Sequence, residues 1–216
     1  MPEKKNAIYF DFDGLLADTE PLHMKAFDLA FEKLGIPAKS DPENWAGRTS
    51  KEILSEVTAT TKTKVPLETI RQVRRDMFSQ LVKNATLMPY AYDILDHAHP
   101  RFKIGLVTSS SRTEIDPVLD GYGLHKFFDV VVTWQPDLPA KPDPAMYRKA
   151  LEFAGTDPKD AVALEDSQRG VAAAKGAGLF CIAVPNDYTL HQDLCLADRV
   201  VDNLEQAEKM INTLWK

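Results

Sequence analysis

Apolar positions along this chain recur with two different periods, and the changes of period divide it. Ile8-Tyr9-Phe10 is a β-branched and aromatic run that stops at Asp11-Phe12-Asp13-Gly14, which predicts a buried strand ending in two carboxylates and a turn. Side chains alternate along a strand, so Asp11 and Asp13 are expected on one side of the backbone if the extension persists, with Phe12 turned back into the core. After Gly14 the period lengthens. Leu22, Ala26, Leu29, Ala30 and Leu34 share one helical face, bounded by a Thr19 N-cap, Pro21 in the first turn, and Gly35. Further helices are predicted from Ser50 to Thr60 and from Pro66 to Lys83, with no strand between them.

From Pro89 the pattern alternates. A helix from Tyr90 to His97 precedes a strand over 103–108, a helix from Thr113 to Gly121 and a strand over 128–133. Then come a helix from Pro144 to Ala154, a strand over 161–164, a helix from Gln168 to Lys175 and a strand over 179–184. A short strand at 199–201 and a helix from Leu204 to Trp215 close the series. Such alternation predicts a doubly wound, mostly parallel α/β sheet of Rossmann-like form, covered on both faces. The expected division is an α/β core of residues 1–17 and 87–216, with 18–86 inserted as an all-helical cap over the carboxyl ends of the strands.

Composition narrows the class. With 216 residues, 44% of them hydrophobic, the chain can bury one substantial core and a small second unit. No run approaches the roughly 20 apolar residues of a membrane helix, and Met1-Pro2-Glu3-Lys4-Lys5 leads to the first strand without an apolar leader. A cytoplasmic protein with no membrane partner is therefore expected, with a monomer as the default. Cys181 and Cys195 are the only cysteines, expected as reduced thiols, and no Cys/His spacing suggests zinc. A net charge of -6 without a long basic stripe argues against a nucleic-acid partner, and Arg71, Arg74 and Arg75 read as a solvated helix face.

Three of the later strands are also followed by chemistry-bearing residues, and the carboxyl edge of a parallel sheet gathers such ends from distant parts of a sequence. Thr108-Ser109-Ser110-Ser111 follows the second strand, offering hydroxyls and N–H groups at a helix start that suit a phosphoryl group. Ala140-Lys141-Pro142-Asp143-Pro144 follows the third, where proline restricts the backbone that aims the Lys141 ammonium. Glu165-Asp166-Ser167 ends the fourth. Taken singly, these read as helix caps, turns and a surface lysine. Four together, each behind a different strand, point to one reaction centre.

Asp11-Phe12-Asp13-Gly14-Leu15-Leu16-Ala17-Asp18-Thr19-Glu20, Thr108-Ser109-Ser110, Lys141-Pro142-Asp143-Pro144 and Glu165-Asp166-Ser167 with Gly170 resemble the four motifs of the haloacid dehalogenase superfamily. The resemblance covers nearly the whole chain and is nearest to the branch with a helical cap after the first motif, which holds sugar-phosphate phosphatases, phosphoglycolate phosphatases and β-phosphoglucomutases. It implies a Mg²⁺-dependent phosphatase of a small phosphorylated metabolite, a sugar phosphate or related monoester, working through an aspartyl-phosphate. By that resemblance Asp11 is the nucleophile and a metal ligand, Asp13 ligates through its backbone carbonyl, Asp166 ligates through its side chain, and Glu165 binds or orients the metal's waters. Lys141 is implied to bridge Asp11 and the phosphoryl oxygens, with Thr108 and the N–H of Ser109 completing the cradle. The Asp13 carboxylate is then expected to be free to swing to the leaving group, first as general acid and then as base. Family members that cleave carbon–halogen bonds lack an acid at that position, so Asp13 favours phosphoryl transfer.

In the insert, His23 and Arg48 are the candidate substrate contacts, and Gly47 is the candidate for a close approach of loop to substrate. Two alternatives remain at this level. A β-phosphoglucomutase-type mutase is disfavoured because Ser50 and Gln80 stand where that enzyme's cap arginine and lysine are expected. A non-enzymatic phosphoacceptor signalling domain would need neither Asp13 nor the helical insert.

Overall fold

The computed structural model describes residues 6–215. Met1–Lys5, on which the expectation of no apolar leader rests, lies outside the described residues. A central strand, β1 (Ala7–Phe10), and a two-residue strand, β2 (Ala17–Asp18), lead into helices α1 (Glu20–Leu34), α2 (Pro42–Trp45), α3 (Ser50–Thr61) and α4 (Leu67–Leu81). A second two-residue strand, β3 (Thr86–Leu87), leads out of them, followed by α5 (Ala91–Ala98), β4 (Lys103–Val107), α6 (Arg112–Gly121) and β5 (Val130–Val132). The remainder is α7 (Ala145–Ala154), β6 (Ala161–Glu165), α8 (Gln168–Gly176), β7 (Phe180–Ala183), β8 (Arg199–Val200) and α9 (Leu204–Leu214).

Six strands form one parallel sheet in the order β5-β4-β1-β6-β7-β8. β1 lies between β4 and β6, so the ends of these three strands meet where the winding reverses, the place where open α/β sheets hold ligands. Strand alternation decides the two faces. Ile8, Phe10, Ile104, Leu106, Val162 and Leu164 face a core shared with α5, α6 and α9. Ala7, Tyr9, Val107, Ala161 and Ala163 face the other way, under α7 and α8. Burying each large side chain contributes roughly 2 kcal/mol, which pins the register of β1 on both faces.

The insert closes over its own apolar cluster, in which Met24, Phe27 and Phe31 of α1 meet Trp45, Ile53, Val57 and Ile70. The buried stripe of α1 is Met24, Ala26, Phe27, Ala30 and Phe31. Leu22, Leu29 and Leu34, expected on the buried face, are half-buried because the larger Phe27 and Phe31 rings take the centre. Two further corrections concern elements too short to carry a period. α2 was not foreseen, and neither was the antiparallel β2–β3 pair, which ties the start of the insert to its end through Ala17 with Leu87 and Asp18 with Thr86. Among the described residues no helix is long and apolar enough to cross a membrane.

Candidate active site

Two strand ends and one loop converge on a buried ion cluster. Asp11 follows β1, Glu165 and Asp166 lie at the end of β6, and Lys141 enters from the loop after β5. Lys141 Nζ lies 2.8 Å from Asp11 Oδ1 and 2.6 Å from Glu165 Oε1, and donates to the Val107 carbonyl at 2.8 Å. The Tyr147 hydroxyl donates to the same Glu165 oxygen. Asn186 Nδ2 donates to Asp166 Oδ2 at 2.8 Å and to the Gly14 carbonyl at 3.0 Å, so the loop after β7 braces both acidic strand ends. A side chain at Gly170 would place Cβ 1.8 Å from Glu165 Oε2, so the first turn of α8 must carry glycine for Glu165 to occupy its place.

The cluster has an excess of negative charge. Oxygens of Asp11, Glu165 and Asp166 lie within 4.8 Å of one another, with all three residues buried. One ammonium faces three carboxyls. Burial would lower the Lys141 pKa, but the Asp11 and Glu165 charges outweigh it and hold the ammonium above its ordinary value. Burial, with the Asp11 charge adding to it and Lys141 opposing, pushes Glu165 up to about 8. Asp166 is raised well above the usual range by burial and then by the Asp11 and Glu165 charges. Glu165 Oε2 is buried with no hydrogen-bond partner among the described residues. An all-oxygen donor set, a surplus of buried negative charge and an orphaned carboxylate oxygen fit a hard divalent cation such as Mg²⁺.

Asp13 lies beside this cluster but is engaged elsewhere. Its Oδ1 accepts from Thr19 Oγ1 at 2.7 Å and from His23 Nε2 at 3.1 Å; its Oδ2 accepts from Thr108 Oγ1 at 3.0 Å and Ser110 Oγ at 2.7 Å. Burial alone would raise its pKa, but the His23 contact and the hydroxyls of Thr19 and Ser110 hold it well below the usual carboxylate range. The Asp13 carboxylate is therefore ionised and anchored in this geometry, not the free group the sequence suggested. The Thr108 hydroxyl is likewise turned to Asp13, and the N–H of Ser109 has no protein partner among the described residues.

Arg74 corrects the reading of the arginine cluster as a solvated face: it is 3% exposed. It was misread because α4 packs against both α1 and the core helix α6, which its own period does not reveal. Its Nη1 donates to Glu114 Oε1 on α6 at 2.7 Å, and its Nη2 donates to His23 Nδ1. A guanidinium carries only donors, so His23 Nδ1 accepts and Nε2–H is left to donate to Asp13. Phe78 stacks on the His23 ring at 4.1 Å. His23 is thus held on three sides.

The expected cap residues border the same space, a cavity of about 320 Å³ whose walls include His23, Gly47, Arg48, Ser109, Lys141 and Asp166. Arg48 pairs with Glu56 at 2.7 Å. Gly47, at φ +76°, approaches the core instead of only the cavity: a Cβ there would sit 3.2 Å from Ser167 Cβ. Arg169 of α8 donates to the Lys141 carbonyl at 2.8 Å and to Glu52 of α3 at 3.1 Å, a second tie between insert and core. Tyr147, Asn186, Arg74 and Glu114 were not foreseen from sequence. Of these, only Glu114 carries a sequence cue, as the fourth residue of the capping box that begins at Ser111.

The family model of haloacid dehalogenase-like hydrolases matches residues 8–184. Protein CbbY of Cereibacter sphaeroides is 32% identical over 213 residues, 93% of this chain and 93% of that protein. A phosphorylated carbohydrates phosphatase of Thermotoga maritima is 33% identical over 178 residues, 80% of this chain and 82% of that one. The crystal structure of a variant of CbbY from Rhodobacter sphaeroides, in complex with xylulose-(1,5)bisphosphate, superposes with a TM-score of 0.79 at 32% identity, covering 92% of this chain and 94% of that one. With a family match over most of its length and the strand-end cluster described above, the chain belongs to the haloacid dehalogenase-like hydrolases.

Proposed function

We propose that the protein is a Mg²⁺-dependent phosphatase of small phosphorylated carbohydrates that works through an aspartyl-phosphate on Asp11. The observation that carries this reading is the Lys141 ammonium, 2.8 Å from Asp11 and 2.6 Å from Glu165, beside a carboxylate trio short of positive charge. Asp11, Asp166 and Glu165 would hold the cation, with the backbone carbonyl of Asp13 as a further ligand. Once bound, it supplies charge neutralisation between the carboxylates and the phosphoryl oxygens.

Asp11 attacks phosphorus, the ester bond to the carbohydrate breaks, and Lys141 balances the charge that spreads over the phosphoryl oxygens. The N–H of Ser109 is free to donate to one of those oxygens. Asp13 is the acid–base group. Its protonated form gives the proton to the departing carbohydrate oxygen, for which it must leave Thr108 and Ser110, and the ionised form so produced then takes the proton of the water that hydrolyses the aspartyl-phosphate. The helical insert, residues 18–86, forms the lid that sets specificity.

The names of the relatives support a sugar-phosphate substrate, and a mutase is not favoured: Arg48, the cation of the loop before α3, is already paired with Glu56. The test is turnover of a panel of aldose and ketose phosphates with Mg²⁺. Steady release of inorganic phosphate is expected, abolished by Asp11→Asn and by chelation. β-Glucose 1-phosphate with a trace of its bisphosphate should yield phosphate, not glucose 6-phosphate. Full activity in Asp11→Asn would overturn the mechanism.

A further inference from the structure

Between Asn186 and Gln192 the loop after β7 touches both the acid cluster and the helical insert. At its near end the Asn186 amide is fully used. Its Nδ2 donates to Asp166 Oδ2 at 2.8 Å and to the Gly14 carbonyl at 3.0 Å, while its Oδ1 accepts from the Tyr188 N–H at 2.8 Å. An amide with every donor and acceptor committed cannot turn, so it fixes how the Asp166 carboxylate is turned. The backbone here is closed on itself: the Asn186 N–H donates to Thr189 Oγ1 at 3.0 Å, the Thr189 N–H to the Asn186 carbonyl and the Gln192 N–H to the Thr189 carbonyl, both at 2.9 Å. Thr189 is fully buried. A turn bonded in this way moves as one piece.

At its far end Gln192 spans the seam between core and insert. Its Oε1 accepts from the N–H of Gln168, the first residue of α8, at 2.9 Å, and its Nε2 donates to the Ala46 carbonyl at 3.2 Å. His191 Nε2 donates to the Glu43 carbonyl of α2 at 2.7 Å. The partners in the insert are backbone carbonyls, so both ties depend on where the insert's chain runs, not on a side chain that could follow the loop. A shift of the insert at residues 43–46 must break these bonds or pull on the turn that carries Asn186. We infer that Gln192 is a positioning residue that couples the seating of the insert to the cation site, through this turn and Asn186 to Asp166. The cation is then held most tightly when the insert rests on the core, and by reciprocity the bound cation strengthens that seating to the same degree. The inference rests on the phosphatase reading for the cation at Asp166 and goes beyond it in giving the insert a part in holding that cation.

Mg²⁺ affinity is read without turnover, by isothermal titration calorimetry of the metal-free protein and by the Mg²⁺-induced rise in Tm. Deleting an outer hydrogen-bond partner of a metal ligand costs about 10–100-fold in affinity, the effect expected for Asn186→Ala. Gln192→Leu keeps the volume and removes both bonds of the bridge; it should weaken Mg²⁺ about fivefold or more, although Gln192 touches neither cation nor carboxylate. His191→Phe keeps a ring and deletes only the tie to the insert, and should act in the same direction. In the Asn186→Ala background Gln192→Leu should add little, because both act through one carboxylate. Additive losses in the double variant would overturn the route through Asn186. So would a Gln192→Leu protein with a lower Tm in EDTA but wild-type Mg²⁺ affinity, which is what a purely structural bridge gives. If wild type itself binds no Mg²⁺, the cation reading falls and the coupling with it, whereas unchanged affinity in variants of a wild type that does bind overturns the coupling alone.

Discussion

Arg74→Met removes the guanidinium that joins insert to core and keeps most of the side chain's packing on Phe27 and Phe78, whose rings lie 5.1 and 4.9 Å from the Arg74 guanidinium carbon. The Arg74–Glu114 pair is short, at 2.7 Å, with the two side chains 4% and 17% exposed. Breaking a fully buried pair by deleting one partner costs about 3–5 kcal/mol. Glu114 keeps its bonds from the Ser111 N–H and hydroxyl and is partly wet, so about 2 kcal/mol is expected here, and losing the donor to His23 adds about 1. For a chain of this size that lowers Tm by roughly 5–10 °C. The sign with pH follows from Glu114. Burial alone would raise its pKa, but the Arg74 charge and the hydrogen bonds from Ser111 outweigh it, so the folded value lies below the unfolded one. The stabilisation is therefore present at neutral pH and lost as pH falls through the folded value, below the ordinary carboxylate range. Urea denaturation at pH 7.5 and pH 4, for Arg74→Met, Glu114→Gln and the double variant, should give a coupling of about 1–2 kcal/mol that shrinks at the lower pH. A penalty under about 0.5 kcal/mol at pH 7.5, or one independent of pH, refutes the reasoning.

Gly170→Ala should cost about 3 kcal/mol and abolish the Mg²⁺-induced rise in Tm, because the new Cβ takes the place of Glu165 Oε2. A native melting curve with the metal response intact would show that Glu165 does not need its observed position. Glu20→Gln should be the more stable protein above neutral pH and not below pH 4.5, measured by thermal melts in EDTA. Burial pushes the folded Glu20 carboxyl up to about 7 from its ordinary 4.5, so folded wild type holds a proton the unfolded chain has released, and stability falls as pH rises across that window. At 1.36 kcal/mol per pH unit the difference is at most about 3 kcal/mol by pH 8, and a flat difference would contradict the burial of an unpaired carboxyl.

What the sequence made legible is what the backbone direction determines locally. Asp11, Glu165 and Asp166 stand at the ends of apolar runs and Lys141 in the loop that follows another, and parallel winding brings such ends to one edge, so their meeting could be foreseen without any side-chain detail. Asp13 is a different case. Its position was legible but its state was not, because the donors that anchor it come from Thr19 and His23 on one element and Thr108 and Ser110 on another, about ninety residues along the chain.

Arg74 shows the same limit from the opposite side. At helical spacing with Arg71 and Arg75 it carries the mark of a wet helix face, and those two neighbours do pair with Glu68 on their own helix. Only the packing of α4 against both α1 and α6 buries Arg74, and a one-dimensional pattern cannot register a second contact face on a helix that already has one. Tyr147 and Asn186 escaped for a related reason. Each is an ordinary residue on its own element, and each acquires a role only through a partner on another strand end, Glu165 for one and Asp166 for the other. A charged or polar residue whose importance lies in bracing a strand-end acid leaves no period of its own, so a search for further members of such a site should begin from the acids and ask what keeps each one in place.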